Sequence, residues 1–305
     1  MPFEIVTGFN VYGHQFTWLI STHMGEIDAI KSIILPVGLS FASFRAADLI
    51  IQTYLGLVNA LTLDRLLFFG FFPSCLVIGP VIEYTELGEP LENAKRAEPS
   101  DVATGAGEIL AGLFKVLVLS LPLAPSAGVF IAPPVSLWRT WLLLFFFAFY
   151  FYLNFAGFSN IAIGIARLYG FRLRPNFEYP FFRDTISGFW AGWHMSLTRF
   201  CQRNIYMALG GMRKSRQYLA LYATMITIGL WHDLSLPFVI FGCWHATGLM
   251  IERKMKERFG SKENPVLLTR VFRTFGVFVF VALSLPLVML PLSDLPKFYA
   301  ALVGL

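Results

Sequence analysis

Residues 138–158 form the longest clean apolar run in the chain, broken by one charge at Arg139. About 20 such residues, wound as a helix rising 1.5 Å per residue, match the ~30 Å hydrocarbon core of a bilayer. Lipid offers the backbone no hydrogen bonds, so a spanning chain must be helical or a closed barrel. Other apolar segments occur at 33–57, 66–82, 105–123, 185–200, 217–231, 234–251 and 268–290. Composition agrees: 56% of residues are hydrophobic and 14% charged, whereas soluble domains carry about 25% charge. The expected fold is all-α: a polytopic transmembrane helix bundle of about seven to nine segments around a central tunnel. Segments 185–200 and 217–231 fall short of a full span and are expected to be re-entrant or half-membrane pieces buried in protein. Segment 66–82 is expected as one helix despite Pro73 and Pro80, and the proline-containing 121–134 as an extracytoplasmic loop.

Two basic stretches set the orientation. Residues 199–216 hold Arg199, Arg203, Arg213, Lys214 and Arg216 with no acid, and 252–270 hold Arg253, Lys254, Lys256, Arg258, Lys262 and Arg270. Two apolar segments separate them, so both lie on one side, which the positive-inside rule makes cytoplasmic. The net charge of +5 therefore reflects topology and contact with membrane lipids rather than nucleic acid. Cys75, Cys201 and Cys243 have no metal or disulfide spacing and read as packing residues. Residues 1–32 contain Glu4, His14, His23, Glu26 and Asp28 and lack the basic start and apolar core of a signal peptide. They are expected to be an N-terminal segment belonging to the interior of a longer protein.

Three of the five histidines follow a tryptophan: Trp193-His194, Trp231-His232 and Trp244-His245. Composition alone predicts about 0.1 such pair. A helix climbing from Arg216 to His232 rises roughly 24 Å, which places His232 inside the far leaflet. An ionisable group at that depth is a functional candidate. Pro237 cannot donate a backbone N–H, so the chain beyond His232 is expected to be irregular and to line a cavity. An imidazole in a cavity can act as a general base. The alternative for each histidine is a satisfied core group, weakest for His232 and strongest for His245 on its long apolar helix. His14 and His23 are expected at the surface. The wide histidine spacing excludes the close pairs typical of helical zinc sites.

The run Asn176-Phe177, Tyr179-Pro180-Phe181, Phe189-Trp190 and Trp193-His194-Met195-Ser196-Leu197 resembles the bacterial membrane-bound O-acyltransferases. The likeness is to the alginate O-acetylation and teichoic-acid D-alanylation branches. Leu209-Gly210-Gly211, Gly229-Leu230-Trp231-His232 and Phe241-Gly242 leading to His245 extend it in the family's order. This chain has Asp233 after Leu-Trp-His where the family usually has glycine, Ala191-Gly192 between the paired aromatics, and Asn154 and Asn160 where an aspartate is usual. The resemblance implies a transmembrane domain over 33–305. It also implies transfer of an acyl group, acetyl or similarly small, from a thioester to a hydroxyl. The expected donor is acyl-CoA or an acyl-carrier protein, with no other cofactor. The expected acceptor is an extracytoplasmic polysaccharide or envelope polymer, or a partner acyltransferase protein, at the bacterial cytoplasmic membrane. His232 is the expected base and His194 the donor-side residue, polarising or orienting the thioester. Trp193, Trp231, Asn204 and His245 are expected to contact substrate, Asn204 or a tryptophan N–H serving the oxyanion.

Two other classes fit the apolar content. A transporter would use Asp48, Glu83, Glu108 and Lys115 as pathway residues, but the two halves show no matching interrupted segments. A non-catalytic scaffold leaves three Trp-His pairs unexplained.

Overall fold

The computed structural model describes residues 39–58, 61–75, 78–84, 86–87, 97–130, 136–260 and 266–304. Among the described residues every regular element is helical. His14, His23 and the start of the 33–57 segment lie outside them.

Helix α1 spans Leu39–Tyr54 and α2 spans Leu63–Gly70. The expected helix at 66–82 is not continuous. It stops before Pro73, which opens a short 3₁₀ turn, Pro73–Cys75. Proline lacks the N–H that a continuing helix needs and clashes with the preceding turn.

Helix α3 starts at Pro99, whose missing N–H costs nothing in a first turn, and runs to Leu113. The chain continues without a break through a π-helical stretch, Phe114–Ser120, and a 3₁₀ stretch, Leu121–Phe130. The loop expected at 121–134 is therefore helical over its first ten residues. A free loop would strand backbone donors in lipid, whereas here only Pro122 and Pro125 lack an N–H. Helix α4, Leu137–Leu168, extends the 138–158 run at its C-terminal end and packs along α3. Gly105 faces Gly164, and Gly112 faces Gly157. A Cβ on Gly112 would stand 2.5 Å from the Gly157 carbonyl oxygen. Such small-residue contacts let helices meet closely where lipid supplies no hydrophobic drive.

Short helices α5 (Ile186–Gly192) and α6 (Met195–Cys201) replace the expected segment at 185–200. A π-helical turn, Gln202–Met207, follows. Helices α7 (Gln217–His232) and α8 (Leu236–Phe259) form a hairpin. Its closest approach is at Gly229, where a Cβ would lie 2.1 Å from the Phe238 carbonyl oxygen, and at Gly242 against Ile226. Helices α9 (Leu267–Ala282), α10 (Leu285–Met289) and α11 (Leu295–Ala301) complete the described chain.

The core forms around α4. Its Leu144, Phe147 and Ala148 are fully enclosed with Leu197 of α6, Ile228 of α7 and Ala246 of α8. The outer faces are apolar too: Leu110, Phe114 and Leu117 on the α3 stretch are each more than half exposed. A water-soluble surface rarely carries so large an apolar patch; a bilayer requires it. Among the described residues, three stretches are long and apolar enough to cross a membrane: Pro99–Phe130, Leu137–Leu168 and Leu267–Met289.

Candidate active site

Residues 176–178 and 192–196 lie side by side. Glu178 N–H donates to Gly192 O at 2.9 Å, and Met195 N–H donates to Asn176 O at 2.9 Å. Gly192 is required by this approach, because a Cβ there would meet Glu178 O at 2.5 Å. The pairing forces a sharp break between α5 and α6. Trp193 is extended, and His194 takes a left-handed backbone, φ 40° and ψ 52°. That conformation costs a non-glycine residue about 1–3 kcal/mol and persists where surrounding contacts over-determine it, most often at functional sites. The start of α5 is held by Thr185 Oγ1, which accepts from Gly188 N at 3.0 Å. Glu252 on α8 accepts from the Ile186 and Ser187 N–H groups and from the Ser187 hydroxyl.

His194 is 2% exposed. Its Nδ1 lies 3.2 Å from Asn176 Oδ1. Among the described residues its buried Nε2 has no hydrogen-bond partner. The ring is packed edge-on against Phe155 at 4.9 Å and against Trp231 at 5.7 Å. Trp193 turns the other way and stacks parallel to Phe151 at 5.7 Å.

His232 closes α7. The next residue, Asp233, is extended, and Pro237 sits in the first turn of α8. The irregular chain expected beyond His232 is thus a tight interhelical corner. The His232 ring is half-buried, 4.7 Å from the Trp231 ring and stacked on Phe238 at 5.9 Å. His245, the tenth of the 24 residues of α8, is 1% exposed. Both of its ring nitrogens are engaged: Trp190 Nε1 donates to Nδ1 at 3.3 Å, and Nε2 lies 3.1 Å from Ser284 Oγ.

All three histidines line one small cavity of about 50 Å³, together with Trp190, Trp193, Ser284 and a largely phenylalanine and aliphatic wall. Such a space, apolar with a few convergent polar groups, has the character of a small-molecule site. Trp231 is placed behind it, packed on Phe41, Phe44 and the two flanking histidines. Asn204 does not line the cavity. It sits in the π-helical turn past the end of α6, where its Nδ2 is buried without a partner among the described residues. The structure adds groups that the sequence reading did not single out for a role. Asn176, Ser196 and Ser159 bind one another behind His194, and Ser284 receives His245.

The charges considered as pathway residues have partners. Arg203 bridges Asp48 and Glu83, at 2.7 Å to Glu83, and Asp48 also accepts from Gln52 and from Tyr84 N. Lys115 donates to Asn160 Oδ1 at 2.7 Å, and Asn160 in turn donates to Glu108. Among the described residues no cluster of three or more His, Cys, Asp or Glu could hold a metal ion.

An all-α bundle with lipid-fitting outer faces and a histidine-lined interior cavity defines a membrane protein with an internal cavity. Comparison with known proteins specifies it further: the family model for MBOAT, membrane-bound O-acyltransferases, matches residues 52–293, and the chain belongs to that family. It is 33% identical to a probable alginate O-acetylase of Azotobacter vinelandii over 243 residues, 78% of this chain and 48% of that protein. It is 31% identical to a peptidoglycan O-acetyltransferase of Helicobacter pylori over 199 residues, 63% of this chain and 37% of that protein. A teichoic acid D-alanyltransferase of Streptococcus thermophilus is 25% identical over 285 residues, 83% of this chain and 67% of that protein. The chain spans about half the length of the alginate relatives it matches.

Proposed function

We propose that this chain carries the chemistry of a membrane O-acyltransferase. It moves a small acyl group, acetyl or similar, from a thioester donor to a hydroxyl of an extracytoplasmic polysaccharide or envelope polymer. The observation that carries this reading is the meeting of His194, from the break between α5 and α6, and His232, from the end of α7, on one cavity. In the proposed reaction His232 accepts the proton of the acceptor hydroxyl as its oxygen attacks the thioester carbonyl. The tetrahedral intermediate then collapses, the carbon–sulfur bond breaks, and the leaving thiolate takes the proton back from His232. Base catalysis of this kind contributes about 10²–10⁴-fold. His194 orients the donor, and the apolar wall excludes water that would hydrolyse the thioester.

The donor, acyl-CoA or an acyl-carrier protein, would enter from the side bearing Arg199, Arg213, Arg216 and Arg253, and the acceptor from the other. The protein would span the bacterial cytoplasmic membrane several times, with the acyl thioester as its one required co-substrate and a partner acyltransferase as an alternative acceptor. The alginate and peptidoglycan O-acetyl-transferring relatives favour acetyl over D-alanyl on identity, 33% and 31% against 25%. The test is mass spectrometry of envelope glycans from cells with and without the gene. Loss of an ester-linked acyl mass that returns on complementation is expected; identical glycan acylation in both would refute the reading.

A further inference from the structure

The hydrogen bonds around His194 and His245 determine which ring nitrogen carries the proton in each. At His194 the reasoning starts from the backbone N–H of Ser196, which can only donate. It points at the Asn176 side chain at 3.3 Å, so the atom it meets is the carbonyl oxygen Oδ1 rather than the amide nitrogen. Two further bonds agree. Ser196 Oγ accepts from Val81 N at 2.8 Å and so gives its own proton to Oδ1, also at 2.8 Å. Asn176 Nδ2 faces away and donates to Ser159 Oγ at 3.0 Å. With Oδ1 established as an acceptor and the Ser196 proton directed to it, His194 Nδ1, 3.2 Å from Oδ1 and 3.4 Å from Ser196 Oγ, must be N–H. A neutral imidazole has one N–H, so Nε2 holds a lone pair. That is the buried atom without a partner, on a ring that lines the cavity.

His245 has the opposite arrangement. The Trp190 indole N–H can only donate, and it meets Nδ1. The proton is therefore on Nε2, which donates to Ser284 Oγ, and Ser284 passes its own proton to Val281 O at 2.7 Å. Nothing on the His245 ring is left for a ligand. Of these two buried histidines, one keeps an unpartnered ring nitrogen and the other has both nitrogens engaged by the protein.

We propose that Asn176 is the positioning residue of the site: its Oδ1 holds His194 as the Nδ1–H tautomer and keeps the Nε2 lone pair open to substrate. His194 then binds a ligand N–H or O–H, such as an amide N–H of a pantetheine-bearing donor or the acceptor hydroxyl itself. It does not polarise the thioester carbonyl, which would need an N–H at Nε2. Ser159 and Ser196 lock the amide in its working orientation, and His245 is a structural post. An asparagine fixing a histidine tautomer through Oδ1 is a known device of cysteine–histidine–asparagine sites, here built from a loop lying beside the strained His194 turn.

This inference shares the cavity with the proposed acyl transfer but does not depend on it, and the test separates the two. The whole chain is labelled with ¹⁵N-histidine and studied by NMR in bilayers at pH 8, with His194→Gln and His245→Gln variants to assign the signals. The expected result is a Nδ1–H tautomer for His194 and a Nε2–H tautomer for His245. Asn176→Leu should convert His194 to mixed tautomers and lower acyl transfer at least about tenfold, since a wrong tautomer disables a histidine. Asn176→Asp, which keeps the acceptor oxygen, should retain the tautomer and most of the activity, and it serves where the leucine variant does not fold. A Nε2–H tautomer for His194 in the wild type, or a His194 signal unchanged by Asn176→Leu, would overturn the proposal. The expected tautomers in a protein without acyl transfer would support the role of Asn176 and remove the proposed reaction instead.

Discussion

Replacing Gly229 by alanine should damage the site from a distance. A methyl at Gly229 would lie 2.1 Å from the Phe238 carbonyl oxygen, whereas a carbon–oxygen contact needs about 3.3 Å. The α7–α8 hairpin must therefore open by about 1.2 Å, because the obstacle is backbone and cannot rotate away. His232 is three residues further along the same helix, less than one turn and about 4.5 Å away, so the displacement reaches it almost undiminished. Overpacking of this kind costs about 1–3 kcal/mol, and a misplacement of about 1 Å costs a catalytic group about 10²-fold in rate. The assay pairs thermal unfolding in detergent with acyl transfer in membranes, using Gly276→Ala as control. Gly276 has nothing within 4 Å of its Cβ position among the described residues, and alanine in a helix interior gains roughly 0.5–1 kcal/mol over glycine. A Gly229→Ala protein with the melting temperature and rate of the wild type would refute the claim that this contact sets the position of His232.

Other substitutions test other parts of the structure. Ser284→Ala removes the acceptor of the His245 N–H and should destabilise the fold by about 1–3 kcal/mol while leaving residual transfer intact in the folded fraction; loss of transfer without loss of stability would mean that His245 is more than structural. Arg203→Ala strands Asp48 and Glu83, whose side chains are 1% and 10% exposed. Fully buried pairs cost about 3–5 kcal/mol when broken, and the 37% exposure of Arg203 lowers the expectation to roughly 2 kcal/mol, read as a lower melting temperature. Glu252→Gln keeps an oxygen for the α5 N-terminus and should be milder than Glu252→Ala, which frees the Ile186 and Ser187 N–H groups and should cost about 1 kcal/mol as a lost cap.

The parts of the molecule legible in the sequence are those set by local chemistry. The apolar run at 138–158 appears as α4, and 217–231 and 234–251 appear as α7 and α8 with Pro237 opening the second. The three Trp-His pairs marked the three histidines that line the cavity. The break inside 185–200 was hidden, since the left-handed backbone of His194 is imposed by the 176–178 segment, which no local pattern announces. The loop expected at 121–134 is instead helical over 121–130, where a 3₁₀ winding accommodates Pro122 and Pro125. Asn176 stands 18 residues from His194, and its role depends on which amide atom faces a backbone N–H, a matter of geometry alone. The π-helical turn that removes Asn204 from the cavity likewise has no sequence signature.

The most direct test of the account is acyl transfer from a labelled acetyl thioester to envelope polysaccharide by membranes containing the wild-type chain or His232→Ala at equal abundance and equal thermal stability. The account predicts a fall of about 10²–10⁴-fold for the variant, the contribution of a lost general base. Transfer by His232→Ala at the wild-type rate would contradict it.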